Sequence, residues 1–160
     1  MGQHADRQIS DPYLEPMHSM GYLTRVNFRM FSKALEQLTL PSGVSSGQWR
    51  FLRVLWEEDN ITQRELANRT GTKEATTVRS VRSLISAGLA VRTRCTEDKR
   101  KLYITLTPRA QQLRAKLMPL VVEVNEIAIA GIDPQHVAIT RQVLAQTYTN
   151  LCHQLGVTDD

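Results

Sequence analysis

The stretch ITQRELANRTGTKEATTVRSVRSLISAG, residues 61–88, decides the fold. Thr62 has the character of an N-cap residue, and the Glu65 carboxylate, three positions later, is expected to reach back to the cap; this pattern predicts a short helix over 63–69. The tripeptide Thr-Gly-Thr ends that helix, and a second helix is predicted over 73–87. A short helix, a tight glycine-containing turn and a second helix form a helix-turn-helix.

The second helix has two distinct faces when its residues are placed at 100° intervals. Thr77, Val81, Leu84 and Ile85 share one side, which we expect to pack inward. The opposite side carries arginines among small hydroxyl residues, namely Thr76, Arg79, Arg82, Ser83 and Ser86. Arginine binds guanine through two hydrogen bonds, and small residues permit close approach to base edges. This face is predicted to enter the DNA major groove, and the alternative is an ordinary solvated polar face.

A hairpin with a charged tip follows over residues 89–106. Leu102, Ile104 and Leu106 alternate with polar residues, as expected of a half-buried strand. A hairpin behind a recognition helix is a wing, whose tip can reach the flanking minor groove. Arg100 is the candidate there, because narrow A·T grooves attract arginine. Asp98 would orient a basic side chain, and the remaining cations would contact phosphates: Arg92, Arg94, Lys99 and Lys101.

Positive charge is concentrated in one part of the chain. Residues 64–101 hold ten Lys/Arg and four Asp/Glu, a net charge of +6, although the whole chain carries only +4. A concentrated basic region suggests a polyanionic partner such as a phosphate backbone. The alternative is a basic face that interacts only with solvent.

Further helices are predicted on both sides of this region. Apolar residues recur at helical spacing from His18 to Leu38, and Ser45 with Gln48 forms a capping-box pattern that begins the next helix. After Thr107-Pro108 and Asp133-Pro134, two more helices carry apolar residues spaced 4, 3, 4, 3. Such stripes are typical of helix pairs and favour a homodimer, although both could instead cover the chain's own core.

The predicted fold class is mainly α with a small antiparallel β wing, a dimeric winged helix-turn-helix. We divide the chain into a flexible arm (1–16), a first dimerisation helix (17–40), the DNA-binding domain (41–107) and the C-terminal dimerisation helices (108–156). Pro119 is expected to kink the first of those last helices.

Several classes of protein are excluded by what the sequence lacks. No run of 18 apolar residues and no secretion signal is present, so a cytoplasmic protein without a membrane partner is expected. Cys95 and Cys152 are too few for a disulfide scaffold or a zinc site, and the four histidines lack metal-ligand spacing. Without a glycine-rich phosphate loop or a nucleophile elbow, we expect neither an enzyme nor a cofactor.

The ordered set QWRFLRVLWEEDNITQRELANRTG, GLAVRTRCTEDKRKLYITLT and TPRAQQL resembles the multiple-antibiotic-resistance regulator (MarR) family over roughly residues 20–155. The resemblance implies an obligate homodimer built from the first and last helices and bound to a pseudo-palindromic operator. It assigns the recognition role to the helix from Lys73 to Ala87 and the wing roles to Asp98 and Arg100. Thr77 and Ser80 depart from the bulkier aliphatics usual in the family, which implies a tilted or less tightly packed recognition helix.

Similar regulators commonly release DNA when a small molecule, often an aromatic acid or its coenzyme A thioester, binds beside the dimerisation helices. The residues that could line such a pocket here are His18, Tyr22, Arg25, Arg29, Trp49, Arg53 and Trp56. An arginine would pair with a carboxylate and an aromatic ring would stack on the ligand. The alternative is that both tryptophans pack in the hydrophobic core and do not contact a ligand.

Two other functions remain open from the sequence. Cys95 follows Arg94 among further cations, which favour a reactive thiolate, so oxidation there could disturb DNA contact. A winged helix can also serve as a protein-interaction module. Such modules often lose their basic groove face, whereas Arg79 and Arg100 are both present here.

Overall fold

The structure is a computed structural model that describes residues 14–94 and 101–157 of the 160-residue chain. Within these ranges the elements are α1 (Met20–Thr39), α2 (Ser46–Glu57), β1 (Ile61–Thr62), α3 (Gln63–Arg69), α4 (Glu74–Ser86), β2 (Ala90–Arg94), β3 (Leu102–Leu106), α5 (Pro108–Ile129) and α6 (Pro134–Leu155). Short 3-10 turns occupy 16–18 and 40–42. This mainly helical chain with one small antiparallel sheet confirms the predicted winged helix-turn-helix class, whereas the predicted dimer stays a prediction.

The helix starts follow from their capping residues. Ser45 and Gln48 form both hydrogen bonds of a capping box at the start of α2, as predicted. Thr62 accepts a hydrogen bond from the Glu65 amide. The Glu65 carboxylate, which we expected to reach back to the cap, pairs with Arg69 at 2.6 Å instead. Arg69 offers the carboxylate a full positive charge as well as a hydrogen-bond donor, whereas the cap amide is neutral, and this favours the observed pair.

The helix-turn-helix consists of α3 and α4, joined by a turn in which Gly71 has a φ of +60°. Three threonines connect the turn to α4. The Thr72 hydroxyl lies 2.8 Å from the hydroxyls of both Thr70 and Thr77. Thr77 is fully buried at a position where a bulkier aliphatic side chain was expected. Its side chain is smaller, and its buried hydroxyl is hydrogen-bonded. A hydrogen bond between Thr72 and Thr77 thus attaches α4 to the turn.

The sheet has the strand order β1-β3-β2, with both pairs antiparallel. Ala90 pairs with Leu106 and Arg94 with Leu102, which confirms the predicted wing hairpin. The additional strand β1 was not predicted; it is two residues long and places Ile61 opposite Ile104. It connects the start of α3 to the base of the wing.

The core lies where α2, α3, α4, the sheet and α5 meet. Its fully buried side chains include Leu52, Leu66, Leu84, Leu89, Ile104 and Leu117. Each such side chain contributes roughly 1.5–3 kcal/mol when it leaves water. The Trp56 indole donates a hydrogen bond of 3.0 Å to the Ala110 carbonyl and thereby joins α2 to α5. The lobe formed by residues 41–107, called the DNA-binding lobe after the sequence-based prediction, therefore shares one core with the first half of α5.

The two terminal helices differ in burial. In α5, Leu117 and Val124 are buried, whereas no residue of α6 is buried. Leu144, Leu151 and Leu155 of α6 are 39%, 61% and 73% exposed. Pro119 lies on the exposed side of α5, and the helix continues past it to Ile129. Across the described ranges, we find no helix with the length and apolar character needed to cross a membrane.

Candidate nucleic-acid interface

The outward face of α4 is a row of exposed polar side chains. Thr76, Arg79, Arg82 and Ser83 are all exposed, as the helical spacing predicted, while Val81 and the rest of the opposite side face the core. Neither arginine forms a salt bridge within residues 14–94 and 101–157. Two guanidinium groups without carboxylate partners therefore project from a helix whose other side is fixed in the core. This arrangement can present hydrogen-bond donors to a base edge or a phosphate.

The start of α4 also favours an anion. Lys73 occupies the N-cap position and its side chain makes no capping hydrogen bond. The first amide groups of a helix have no partner within the helix, and the helix dipole places partial positive charge there. The exposed Lys73 ammonium adds a full positive charge beside them. A phosphate oxygen is a suitable partner for this group of donors.

A buried glutamine holds the middle of α4 in place. The Gln48 side chain donates to the Ser83 hydroxyl at 2.9 Å and to the Ser83 carbonyl at 3.3 Å. Because Gln48 is also part of the α2 capping box, the start of α2 and the recognition helix are coupled through one side chain. The Ser83 hydroxyl keeps its own proton to donate outward. Its predicted DNA contact stays a prediction.

The wing carries further exposed cations. Arg92 and Arg94 on β2 and Lys101 before β3 are exposed, and the register places Arg94 opposite Leu102. The cations at the two strand ends are therefore close in space. The predicted residues Cys95, Asp98, Lys99 and Arg100 lie outside the described ranges.

One cation of the basic region has a structural role instead. Arg69 contacts the Glu65 carboxylate at 2.6 Å and the Glu58 carboxylate at 2.7 Å. The hydrogen bond to Glu65, followed by that to Glu58, raises the pKa of Arg69. Its charge is thus matched by carboxylates at the junction of α2 and α3, in contrast to Arg79 and Arg82.

A separate cavity of about 430 Å³ lies between α1, α2 and α5. Its wall combines apolar, polar and charged residues, including one carboxylate: Phe28, Phe31, Ser32, Leu35, Ser46, Trp49, Arg50, Arg53, Val54, Glu57, Val121, Val124 and Asn125. A groove of about 380 Å³ adjoins it through Phe28 and is lined by Arg25 and Arg29. A cavity of this size and mixed character can hold a small organic anion.

The structure brings together some of the predicted effector residues and not others. Trp49 and Arg53 line the cavity, whereas Arg25 and Arg29 line the adjoining groove. His18, Tyr22 and Trp56 line neither of the two. Trp56 instead packs in the core, where its ring meets that of Trp49 edge to face with centroids 5.5 Å apart.

The sequence analysis missed several residues of this cavity. Phe28, Phe31 and Leu35 recur at helical spacing on α1, a signal that was visible in the sequence. The Arg50 guanidinium lies 5.7 Å from the centre of the Phe28 ring, a cation–π distance. The contributions of α5, Val121 and Asn125, depend on how two distant helices meet and left no local signal.

Comparison with known proteins relates the chain to one group of regulators. The model of the MarR family matches residues 44–102. An uncharacterized HTH-type transcriptional regulator of Staphylococcus aureus is 28% identical over 86 residues, which cover 54% of this chain and 59% of that protein. The chain thus spans about three fifths of the length of that curated relative.

Solved structures extend the similarity to most of the chain. A MarR transcriptional regulator from Methanosarcina mazei Go1 superposes with a TM-score of 0.74 at 26% identity, covering 82% of this chain and 95% of that one. The transcriptional regulator PA3341 is 32% identical with a TM-score of 0.69, covering 82% and 96% respectively. The similarity therefore includes the helices on both sides of the DNA-binding lobe.

Proposed function

Because the chain belongs to the MarR family, we propose that it is a sequence-specific DNA-binding transcriptional repressor. The observation that carries this proposal is the outward face of α4. There Arg79 and Arg82 are exposed without salt bridges in the described ranges, whereas the neighbouring Arg69 is matched by two carboxylates. Unmatched arginines on a helix fixed by its buried side suit base reading rather than structural support.

Each recognition element has a separate task in this proposal. Arg79 reads a base edge, Thr76, Arg82 and Ser83 line the groove contact, and Lys73 holds a phosphate at the start of α4. Arg94 and Lys101, with Lys99, contact the flanking phosphates, while Arg100, oriented by Asp98, enters the minor groove. Phosphate contacts set the register of the protein on the duplex, and base contacts give the sequence preference.

We propose that the repressor is a homodimer and that the operator is a pseudo-palindrome. The exposed apolar stripe of α6 supports this, because a helix with no buried residue in its own chain needs another surface to cover it. In a dimer the two copies of α4 would contact half-sites roughly 34 Å apart, one turn of the duplex.

Selection from a pool of random duplexes tests DNA binding and identifies the operator sequence in the same experiment. We expect the wild-type chain to enrich an inverted repeat. The Arg79→Ala variant should bind it about 1–3 kcal/mol more weakly and lose its preference at one base pair of each half-site. Arg114→Ala, which removes an exposed arginine from α5, is the matched control. If no sequence is enriched, a winged helix that binds proteins becomes the better interpretation.

We further propose that an aromatic carboxylic acid or its coenzyme A thioester releases the repressor by binding in the cavity between α1, α2 and α5. Trp49 and Phe28 offer ring surfaces, and Arg50 offers charged donors to a carboxylate or phosphate. Arg53 also lines the cavity, but its guanidinium pairs with the Glu57 carboxylate at 3.4 Å, which a ligand carboxylate would have to displace. Since the cavity is bounded by helices of both the lobe and the proposed dimer interface, a ligand can favour a spacing of the α4 helices that does not fit DNA. The ligand and DNA would then weaken each other's binding by the same factor.

Benzoate, 4-hydroxycinnamate and benzoyl-coenzyme A are suitable probes for this cavity. A probe that binds should raise the melting temperature in proportion to its saturation and lower the affinity for the selected duplex. The Arg50→Met variant should reduce both effects, whereas Arg114→Met should leave them unchanged. A probe that raises the melting temperature without changing DNA affinity would show that the cavity binds ligands but does not control release.

A further inference from the structure

The end of the recognition helix is held by an arginine from α5. Arg109, in the first turn of α5, donates a hydrogen bond of 2.7 Å from Nη1 to the carbonyl of Ala87. Ala87 is the C-cap residue of α4. The last carbonyls of a helix lack partners and carry partial negative charge, so a guanidinium is a favourable partner there.

Two glycine turns lie beside this guanidinium. Gly43, before α2, and Gly88, after α4, have φ values of +76° and +67°, in the left-handed region. A Cβ atom at Gly88 would lie 3.6 Å from Nη1 of Arg109, and one at Gly43 would lie 3.8 Å from Nη2. The Arg109 side chain therefore lies against the turn that leads into α2 and the turn that ends α4.

Further hydrogen bonds fix the same turn of α5. The Thr107 hydroxyl donates to the Gly88 carbonyl at 2.8 Å. On the other side, the Asp59 carboxylate accepts hydrogen bonds from the Leu106 amide at 2.9 Å and from the Gln111 side chain at 3.1 Å. The start of α5 is thus attached both to the end of α4 and to the loop before β1.

We propose that Arg109 positions α4 for DNA binding. By holding the C-terminal end of α4, it makes the orientation of α4 follow that of α5. The inference rests on the DNA binding proposed above. Arg109 itself is exposed, so its charge could alternatively contact a phosphate directly. The two roles differ in one measurable respect. Loss of a phosphate contact reduces the salt dependence of binding, whereas loss of orientation weakens binding at an unchanged salt dependence.

The test compares Arg109→Met, Arg109→Lys and the control Arg114→Met. Without DNA, amide hydrogen exchange over residues 83–89 should be faster in Arg109→Met than in the wild type and the control, and the melting temperature should fall by about 2–4 °C, as expected for one lost hydrogen bond in a chain of this length. Affinity for the duplex selected by the wild type should fall about tenfold, the effect of losing one charge-assisted hydrogen bond. The slope of log affinity against log salt concentration, the salt slope, should not change, and neither should the affinity for a scrambled duplex. Arg109→Lys keeps the charge and one donor, so it should recover part of both effects.

Three results would overturn the inference. Unchanged hydrogen exchange in Arg109→Met would show that the contact does not hold α4. A salt slope reduced by about one for each protomer would assign Arg109 to a phosphate. Equal affinities of the Arg109→Met and Arg114→Met variants would remove any role in DNA binding. If the wild type binds no duplex, the proposed function fails, and the exchange measurement alone decides whether Arg109 holds the recognition helix.

Discussion

Helices α5 and α6 look alike in sequence but differ in what covers them. Each has 22 residues, begins with proline after a side-chain cap, and carries apolar residues at alternating spacings of four and three. In α5 that stripe packs against the same chain as far as Val124, with Leu117 fully buried and only Ile127 of the stripe exposed, whereas no residue of α6 is buried. A stripe therefore predicts that a helix has a partner surface but not which surface that is.

This difference separates two sources of stability. The DNA-binding lobe and α5 bury their apolar side chains within one chain, so their folding should not depend on protein concentration. The stripe of α6 gains burial only against another surface, and in the proposed dimer that gain rises with concentration. Substitutions in the lobe or α5 should therefore change the free energy of unfolding, whereas substitutions on the α6 stripe should change dimerisation.

The largest effect is expected from placing charge on the α6 stripe. The double variant Leu144→Glu/Leu151→Glu should be monomeric by sedimentation while its circular dichroism stays helical. Since the two half-sites are then bound independently, affinity for the selected inverted repeat should fall by about a hundredfold or more.

The matched control adds the same two charges elsewhere on α6. Gln135→Glu/Gln142→Glu changes exposed residues on the opposite side of the helix, by the 100° spacing, and should stay dimeric. A Leu144→Glu/Leu151→Glu variant that remains dimeric would show that α6 is covered in another way.

The next largest effect is expected in the core. It is measured in the monomeric double variant Leu144→Glu/Leu151→Glu. Leu52→Ala removes a fully buried side chain and should lower the free energy of unfolding by about 2–5 kcal/mol in urea titrations. Leu155→Ala, at an exposed leucine of α6, should change it by less than about 0.5 kcal/mol. Similar losses from both would mean that α6 packs on its own chain in solution.

A smaller effect is expected at the turn where the lobe meets α5. Gly88→Ala places a side chain at a φ of +67° and should lower the free energy of unfolding by about 1–2 kcal/mol. Gly47→Ala, at a glycine in the first turn of α2 whose φ is not positive, should stabilise by up to about 1 kcal/mol. Melting temperatures that move in the same direction for both variants would contradict the left-handed turn.

The smallest effect is expected at the surface network of Arg69. Its two carboxylate partners are exposed, so solvent and salt screen the interaction. Arg69→Met should lower the urea midpoint slightly at low ionic strength and not at high ionic strength. A loss that persists in high salt would indicate that the side chain matters through packing.

Most of the fold was predictable because local signals agreed with tertiary packing. The prediction of 63–69 coincides with α3, and the caps at Ser45, Thr62 and Thr107 are formed as expected. Strand β1 could not be predicted, because two residues carry no periodicity and their pairing with β3 depends on the folded lobe. The pairing of Glu65 with Arg69 likewise reflects a competition that the capping pattern alone does not reveal.

The candidate sites were likewise predictable only where a local sequence signal determines the position of the side chain. The two faces of α4 follow from helical spacing and are confirmed by the burial of Thr77 and the exposure of Arg79. The cavity depends on contacts among α1, α2 and α5, so aromatic content alone could not separate Trp49, which lines it, from Trp56, which packs in the core. Arg109 gave no signal, because its partner is a backbone carbonyl 22 positions away.

The pair of indoles in α2 equips the chain with an intrinsic optical probe. The sequence contains two tryptophans, Trp49 and Trp56, and their rings meet at 73° with centroids 5.5 Å apart. One ring borders the cavity and the other donates to the start of α5. Emission from the unlabelled protein therefore samples both places at once. Quenching without a spectral shift would report contact at Trp49, and a red shift would report that water has reached the α2–α5 junction.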